Sequence, residues 1–275
     1  MQKKVWFITG SSSGFGRALA TELLINGHIV VLTARNKQSV EDLHQQFPDT
    51  SQVIKLDVTN QSDIEQSVTA ALLKWGRIDV LVNNAGYGIV GAVEEVTEAE
   101  MFRVFNTNVF GLINLTKAIL PSMRKARSGH IINLSSIAGL VSTPGFGIYN
   151  ATKFAVEGMS EALAQEVKCF GIKVTIIEPG PFRTDFANRS LAVMPEMKEY
   201  DEAMIVTRNY IQKVDGNQPG DPVKGAKLMI KLTEIDNPPL RIPLGKMALD
   251  RWNGKLTQFN SDLKNWHNEI VNCDY

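Results

Sequence analysis

The sequence predicts an α/β fold: one doubly wound parallel sheet with helices on both faces and a C-terminal helical extension. Three observations carry this. Short apolar, β-branched runs alternate with longer stretches whose apolar residues recur three and four apart. The runs are almost continuously apolar, as strands covered on both faces must be. No repeat, low-complexity tract or linker breaks the order before residue 180, so the chain reads as one domain plus a tail.

The elements follow in order. Val5–Thr9 is the first strand, and Ala18, Leu19, Leu23 and Leu24 mark one face of the helix after it. Ile29–Thr33 and Val53–Leu56 are the next two strands. Ile64, Val68, Ala71, Leu72 and Trp75 mark a second amphipathic helix. Val80–Val82, His130–Leu134 and Lys173–Ile177 complete a set of six strands. Strand-helix alternation implies βαβ units with right-handed crossovers. Beyond residue 180 the pattern changes. Residues 182–195 have no clean period. Helices are expected near Met197–Val214 and Pro222–Thr233, separated by turn-forming residues 215–220, before a last strand at Leu240–Ile242. An insertion this late in such a sheet suits a substrate lid, over about residues 182–220.

The tail, residues 246–275, has its own period. Leu249, Trp252, Leu256, Phe259, Leu263, Trp266 and Ile270 alternate three and four apart, a heptad seam. The expectation is a helix packed on its own domain; the alternative is one packed on a partner subunit. Gly254 weakens either helix.

Composition excludes several classes. Of 275 residues, 44% are hydrophobic and 21% charged, which argues against a disordered chain. Lys plus Arg equals Asp plus Glu at 29 each, so the basic footprint of a general nucleic-acid binder is missing. No apolar run reaches the roughly 18 residues of a membrane span, and Val5–Ile8 is too short for a secretion signal. The two cysteines, Cys169 and Cys273, do not make a disulfide framework, and the four histidines (His28, His44, His130, His267) are scattered, so no metal site is expected. A reducing cytoplasm is the expected compartment.

The first strand runs directly into Thr9-Gly10-Ser11-Ser12-Ser13-Gly14-Phe15-Gly16 and then a helix. A strand end, a glycine turn and a helix N-terminus form a cradle of free N–H groups for a pyrophosphate, which points to a dinucleotide. The cofactor-binding candidates here are Gly10, Ser12, Ser13, Gly14, Phe15 and Gly16. The second strand ends at Ala34-Arg35. An acidic residue there would bind the ribose 2′-OH of NAD; a small residue followed by Arg35 suits the 2′-phosphate of NADP. NADP is therefore the expected cofactor, with NAD the alternative.

Tyr149 has a lysine four residues later, Lys153, at the start of a long helical pattern. The two side chains share a helix face, where an ammonium would favour the phenolate and bring the phenol toward working pH. Such a tyrosine can exchange a proton with a substrate oxygen.

Taken in order, these motifs resemble the classical short-chain dehydrogenases/reductases, over residues 4 to 245. The glycine loop is similar to that family's T-G-x-x-x-G-x-G. Asn83-Asn84-Ala85-Gly86 resembles its N-N-A-G, and Ser136 lies thirteen residues before Tyr149, where the family keeps its catalytic serine. Asn108 matches the catalytic asparagine, Pro179-Gly180 with Thr184 the P-G-x-x-x-T, and Asp57 the adenine contact. The resemblance implies a Rossmann-type fold in residues 1–245 and catalysis by Asn108, Ser136, Tyr149 and Lys153. Ser136 would bind the substrate carbonyl, with Ser135 its rival. Tyr149 would be the general acid or base. Lys153 would hold the nicotinamide ribose and tune Tyr149, and Asn108 would hold a relay water. The cofactor contacts extended by the resemblance are Asp57, Val58, Asn83, Ala85, Gly86, Pro179, Gly180, Phe182 and Thr184, besides Tyr149 and Lys153. The tail and the segment 91–95 look most like the hydroxysteroid- and retinol-dehydrogenase-like branch.

Substrate contacts are expected from Ser136, Tyr149, Phe146 and Phe186, with Phe182, Leu191, Val193, Met194 and Met197 in the lid and Tyr87, Ile89, Val141 and Met204 beside them. This apolar set implies a hydrophobic ketone or secondary alcohol. The resemblance also implies a homodimer or homotetramer. A non-catalytic NADP-binding sensor or scaffold is the competing reading, motivated by the seam. A sugar-nucleotide epimerase is disfavoured by the glycine spacing.

Overall fold

The computed structural model describes residues 3–275. Among these, the strands in chain order are β1 (Val5–Ile8), β2 (Ile29–Ala34), β3 (Ser51–Lys55), β4 (Val80–Asn83), β5 (Gly88–Val90), β6 (Gly129–Leu134), β7 (Ile172–Pro179), β8 (Leu191–Val193) and β9 (Arg241–Leu244). The α-helices are α1 (Gly14–Ile25), α2 (Glu41–Gln46), α3 (Gln61–Trp75), α4 (Glu98–Phe105), α5 (Leu112–Ala126), α6 (Gly147–Val167), α7 (Asp201–Val214), α8 (Pro222–Leu232), α9 (Lys246–Asn265) and α10 (His267–Val271).

Seven strands form one sheet in the order β3-β2-β1-β4-β6-β7-β9, and every neighbouring pair is parallel. The chain winds outward from β1 to β3, then returns to place β4 on the other side of β1. The loops leaving β1 and β4 therefore diverge, opening a crevice at the carboxyl ends of these strands. Alternation along each strand sorts the core into two layers. Trp6, Ile8, Val30, Leu32, Val80 and Val82 face α1 and α8. Phe7, Val31, Leu81 and Ile131 face the side of α3, α5 and α6. Burial on both faces is why these strands read as unbroken apolar runs.

The two strands that the sequence does not announce are β5 and β8. They pair in parallel as a separate two-stranded sheet that ties the lid to the segment after β4. Three residues apiece are too few to show a period. The lid helix also starts later than expected: α7 begins at Asp201, after a 3₁₀ turn at Lys198–Tyr200.

The tail departs from expectation. It is helical, but only its start packs on its own domain. Ala248 is buried and Trp252 rests against the body beside Ile137, Leu140 and Val141, whereas all residues from 253 to 275 are exposed.

Candidate active site

The phosphate loop is shaped by contacts that exclude side chains. Gly10 and Gly14 have φ of +68° and +53°, the left-handed region that favours glycine. Gly16 has no such backbone demand. A Cβ there would lie 2.3 Å from Gly10 O and 2.5 Å from Asn84 Nδ2. Asn84 pins the loop: its Nδ2 donates to Thr9 O (2.8 Å) and Gly10 O (3.1 Å). Thr9 Oγ1 accepts from the amides of Asn84 and Ala85. Helix α1 then starts with no side-chain cap and no acidic residue in its first turn. Its N-terminal N–H groups and positive dipole end remain for an anion, so the loop fits a pyrophosphate. Phe15 turns away to pack on Phe182 (centroids 4.8 Å apart) and against Gly225. Phe182, expected to touch ligand, thus belongs to the core that supports the loop. Thr184 faces the loop from the other side, its Cβ 3.4 Å from where a Gly14 Cβ would be.

At the other end of the crevice, β2 ends in buried Ala34 and exposed Arg35. Among the described residues no carboxylate lies within ion-pair distance of Arg35. Asp57 Oδ1 accepts from Thr59 N (2.9 Å) and Thr59 Oγ1 (2.7 Å). Burial pushes the Asp57 carboxyl up, but these bonds and the charges of Arg35 and Lys55 outweigh it and hold the group below its ordinary value. The Val58 side chain is buried against Gly111, which leaves its backbone for a ligand.

The four expected catalytic residues are brought near one another from three elements. Ser136 follows β6, Tyr149 and Lys153 lie one turn apart on α6, and Asn108 comes from the long helix α4–α5. That helix carries a π-helical turn at Asn106–Gly111, the kind of irregularity found at functional sites. Gly86 permits the approach: a Cβ there would meet Asn108 Oδ1 at 3.0 Å and Lys153 Nζ at 3.9 Å. The serine choice follows spacing. Ser136 lies beside the Tyr149 hydroxyl, its Oγ accepting from Ala138 N (3.0 Å) and donating to Pro179 O (3.4 Å), whereas Ser135 turns toward Glu157.

Three expectations about these groups need correction. Lys153 does not lower Tyr149 in this geometry. Burial pushes the phenol well above its ordinary value, and only the neighbouring Ser136 hydroxyl pulls it back. The ammonium lies 5.8 Å from the Tyr149 ring centroid and donates instead to Leu134 O at 2.7 Å. Burial also lowers Lys153, to about 8, against the opposing charge of Glu157. Second, both amide protons and one lone pair of Asn108 are engaged: Oδ1 accepts from Tyr87 N (3.0 Å), and Nδ2 donates to Tyr87 O (2.8 Å) and Thr152 Oγ1 (3.2 Å). The second lone pair of Oδ1 is what this side chain leaves for a relay water. Third, the Asn83 amide lies inside the sheet, donating to Thr116 Oγ1 and Asn133 Oδ1, so only its backbone is left for a ligand.

Around Tyr149 the walls are apolar. Phe186 and Phe146 flank its ring at 5.7 and 6.2 Å, and Ile89, Val96, Val104 and Met194 close the same cluster. Val193 instead faces solvent at 57% exposure, and Val141 packs toward Trp252 of the tail. Pro179 and Gly180 end β7, where Gly180 N donates to Leu244 O.

Sequence reasoning missed two charged clusters. Buried Glu95 accepts from Ala92 N (2.7 Å), Met197 N (2.8 Å) and Arg208 Nη2 (2.7 Å), latching two points of the lid to the segment after β5. These bonds hold its carboxyl below the ordinary value despite its burial. Behind Lys153, Glu157 and Glu178 are buried together, with Arg241 3.0 Å from Glu157 and 3.8 Å from Glu178. Burial, then the Glu157 charge, push Glu178 up to about 8, and burial raises Glu157 as well, so the pair favours holding a proton. The segment 91–95 and the Glu four residues after Lys153 were the available signals, but neither names its distant partner.

Comparison with known proteins agrees with this geometry. A family model described as short chain dehydrogenase matches residues 4–195. The chain is 43% identical over 250 residues to a 3-ketodihydrosphingosine reductase of Bacteroides thetaiotaomicron, covering 90% of each. A solved short-chain dehydrogenase from Streptomyces avermitilis is 42% identical and superposes with a TM-score of 0.94 over 100% of both chains, so the protruding tail has a counterpart there. A short-chain dehydrogenase/reductase of Burkholderia phymatum, solved with NAD, is 26% identical with a TM-score of 0.80 over 92% of both chains. Other solved relatives hold NADP. A nicotinamide dinucleotide is thus the cofactor class supported. The ordered motifs, the doubly wound sheet and these matches together place the chain in the short-chain dehydrogenase/reductase family of oxidoreductases.

Proposed function

We propose that this enzyme uses NADP(H) in preference to NAD(H) to interconvert a hydrophobic carbonyl compound and its secondary alcohol. The observation that carries this reading is a buried Tyr149, with Ser136 beside its hydroxyl and Phe146, Phe186 and Ile89 packed around it. Two hydroxyls in an apolar wall suit one substrate oxygen with an apolar remainder. When bound, the dinucleotide donates or accepts the hydride. The phosphate loop of residues 10–16, Arg35, the Asp57–Val58 turn, the backbone of Asn83, Ala85 and Gly86, and Thr184 would hold it, and Lys153 would meet its ribose.

The chain's own residues then manage the oxygen and the proton. Ser136 donates to the carbonyl oxygen and fixes its position. Tyr149, kept neutral by burial, gives that oxygen a proton in the reducing direction. Lys153, anchored on Leu134 O, holds positive charge beneath the phenol below about pH 8 and assists its recharging. Phe146 and Phe186 exclude bulk water, which strengthens each of these interactions. Preference for NADP rests on Arg35, whose guanidinium is exposed beside small Ala34. The exposed, unpaired thiols Cys169 and Cys273 fit a reducing, cytoplasmic setting.

The test is a spectrophotometric screen of NADPH and NADH oxidation against ketones, aldehydes and quinones of graded apolar size. Activity should rise with apolar size. In Tyr149→Phe, turnover should fall by about 10²–10⁴-fold while NADPH still binds. Unchanged turnover in that variant would remove Tyr149 from the proposed role. Cofactor binding without turnover of any carbonyl would favour the sensor reading.

A further inference from the structure

Helix α9 and its continuation α10 contribute nothing to the site. Only their start is anchored, through Ala248 and Trp252. Beyond it the helix projects with no tertiary support, since every residue from 253 to 275 is exposed. A helix of about this length is marginal in water by itself, and Gly254 lowers its propensity further. A regular helix here therefore needs a covering partner.

One stripe of it asks to be covered. Leu249, Leu256, Phe259, Leu263, Trp266 and Ile270 are exposed by 39–63%, and with Trp252 they repeat every 3.5 residues on average. That period keeps a face in register with a second helix in a left-handed supercoil. Large apolar side chains bury on the scale of 150–250 Å² each. At these exposures the six offer on the order of 600 Å² per copy, close to the ~800 Å² per partner of a standard interface once flanking stems are added.

Charge selects the occupant. Residues 246–275 carry four Lys or Arg and four Asp or Glu, which cancel. A neutral tail does not select an acidic or a basic partner. It also lacks the cationic polar face of a helix that lies on an anionic membrane. A second copy of the same chain is not repelled, and a self-complementary stripe is what a two-fold interface requires. The matching tail in the Streptomyces avermitilis structure indicates that the arm is a retained element of the fold.

We propose that α9 and α10 form a dimerisation arm, in which the tails of two copies of this chain pair along the Leu249–Ile270 seam. This arm is separate from the catalytic cleft and does not depend on which substrate is used.

The test is analytical ultracentrifugation of the full chain across micromolar concentrations. The wild type should sediment as a dimer or a multiple of one. A Phe259→Lys/Trp266→Lys variant should show half the wild-type mass. Ser261→Lys, on the opposite face, should keep it. Because residues 253–275 are all exposed, retained NADPH binding separates lost association from lost folding. Trp266 fluorescence in the wild type should shift to the blue as concentration rises. A monomeric wild type, or a seam variant with wild-type mass, overturns the proposal. So does a wild type that stays monomeric and binds phosphatidylglycerol vesicles through Phe259 and Trp266.

Discussion

Replacing Gly16 with alanine sets two physical effects against each other. Gly16 lies in the first turn of α1 with an ordinary helical backbone, where Ala is favoured over Gly by roughly 0.5–1 kcal/mol. Propensity alone therefore predicts stabilisation. Space predicts the reverse. The new Cβ would sit 2.3 Å from Gly10 O and 2.5 Å from Asn84 Nδ2, and the first of these is backbone that cannot swing aside. Relief requires a movement of about 1 Å. Overpacking of that kind costs about 1–3 kcal/mol. Displacing Asn84 also weakens its bonds to Thr9 O and Gly10 O, at about 1 kcal/mol each. After the helix gain is deducted, the expected loss is about 2–4 kcal/mol. Urea unfolding reads this as a lower midpoint at constant slope. NADPH fluorescence titration should show affinity weakened about tenfold or more, because the same movement shifts the N–H groups that face the pyrophosphate. Gly158→Ala is the control: it sits in α6 with nothing within 4 Å of its Cβ position, so it should stabilise by the propensity term alone. A Gly16→Ala protein as stable as Gly158→Ala, with unchanged NADPH affinity, would refute the reasoning.

Two further outcomes follow from the site and its surroundings. Arg35→Ala should cost NADPH the charge-assisted bonds to its 2′-phosphate, about 1.5–3 kcal/mol, or roughly 10–150-fold in Kd, with little change for NADH; equal losses in the two titrations would remove Arg35 from that role. Stability against pH should reveal two opposed buried groups. Burial, then the charges of Lys173 and Lys4, lower His130 to about 3, below its unfolded value, so its contribution is lost as pH falls below about 6.5. Glu178 is raised to about 8, so its contribution is full below about 4.5 and is lost as pH rises toward 8. Between about pH 4.5 and 6.5 the two slopes oppose one another, each at up to about 1.4 kcal/mol per unit. Glu178→Gln should therefore lose stability on acidification more steeply than wild type, measured by urea unfolding at several pH values. Parallel pH slopes would show that Glu178 does not hold a proton in the folded state.

The residues differ in how far their roles could be read before folding. The glycine loop was legible because its function is local: a strand end, three glycines and a helix start lie within eight consecutive positions. Tyr149 and Lys153 were legible for the same reason, one helical turn apart. The Glu95 latch was not, because its partner Arg208 lies 113 residues away with no period connecting them. The Arg241–Glu157 pair spans 84 residues and was equally hidden. Asn83 and Asn84 illustrate the limit within one motif. Their types suggested a ligand-binding turn, but only packing decides that Asn84 braces the phosphate loop while the Asn83 amide turns into the sheet.

Periodicity and neighbouring residue types thus determined the order of the main-sheet strands along the chain, the glycine turn after β1, the one-turn spacing of Tyr149 and Lys153 and the apolar seam of the tail, since these depend on backbone geometry over a few residues. Burial and long-range contact decided the rest. The tertiary structure closes an apolar wall around Tyr149 and raises a phenol that its lysine alone would have lowered, because the desolvation of a charge depends on everything around it. It likewise leaves the seam beyond Trp252 bare, since whether a helical face is covered is settled by the surfaces opposite it.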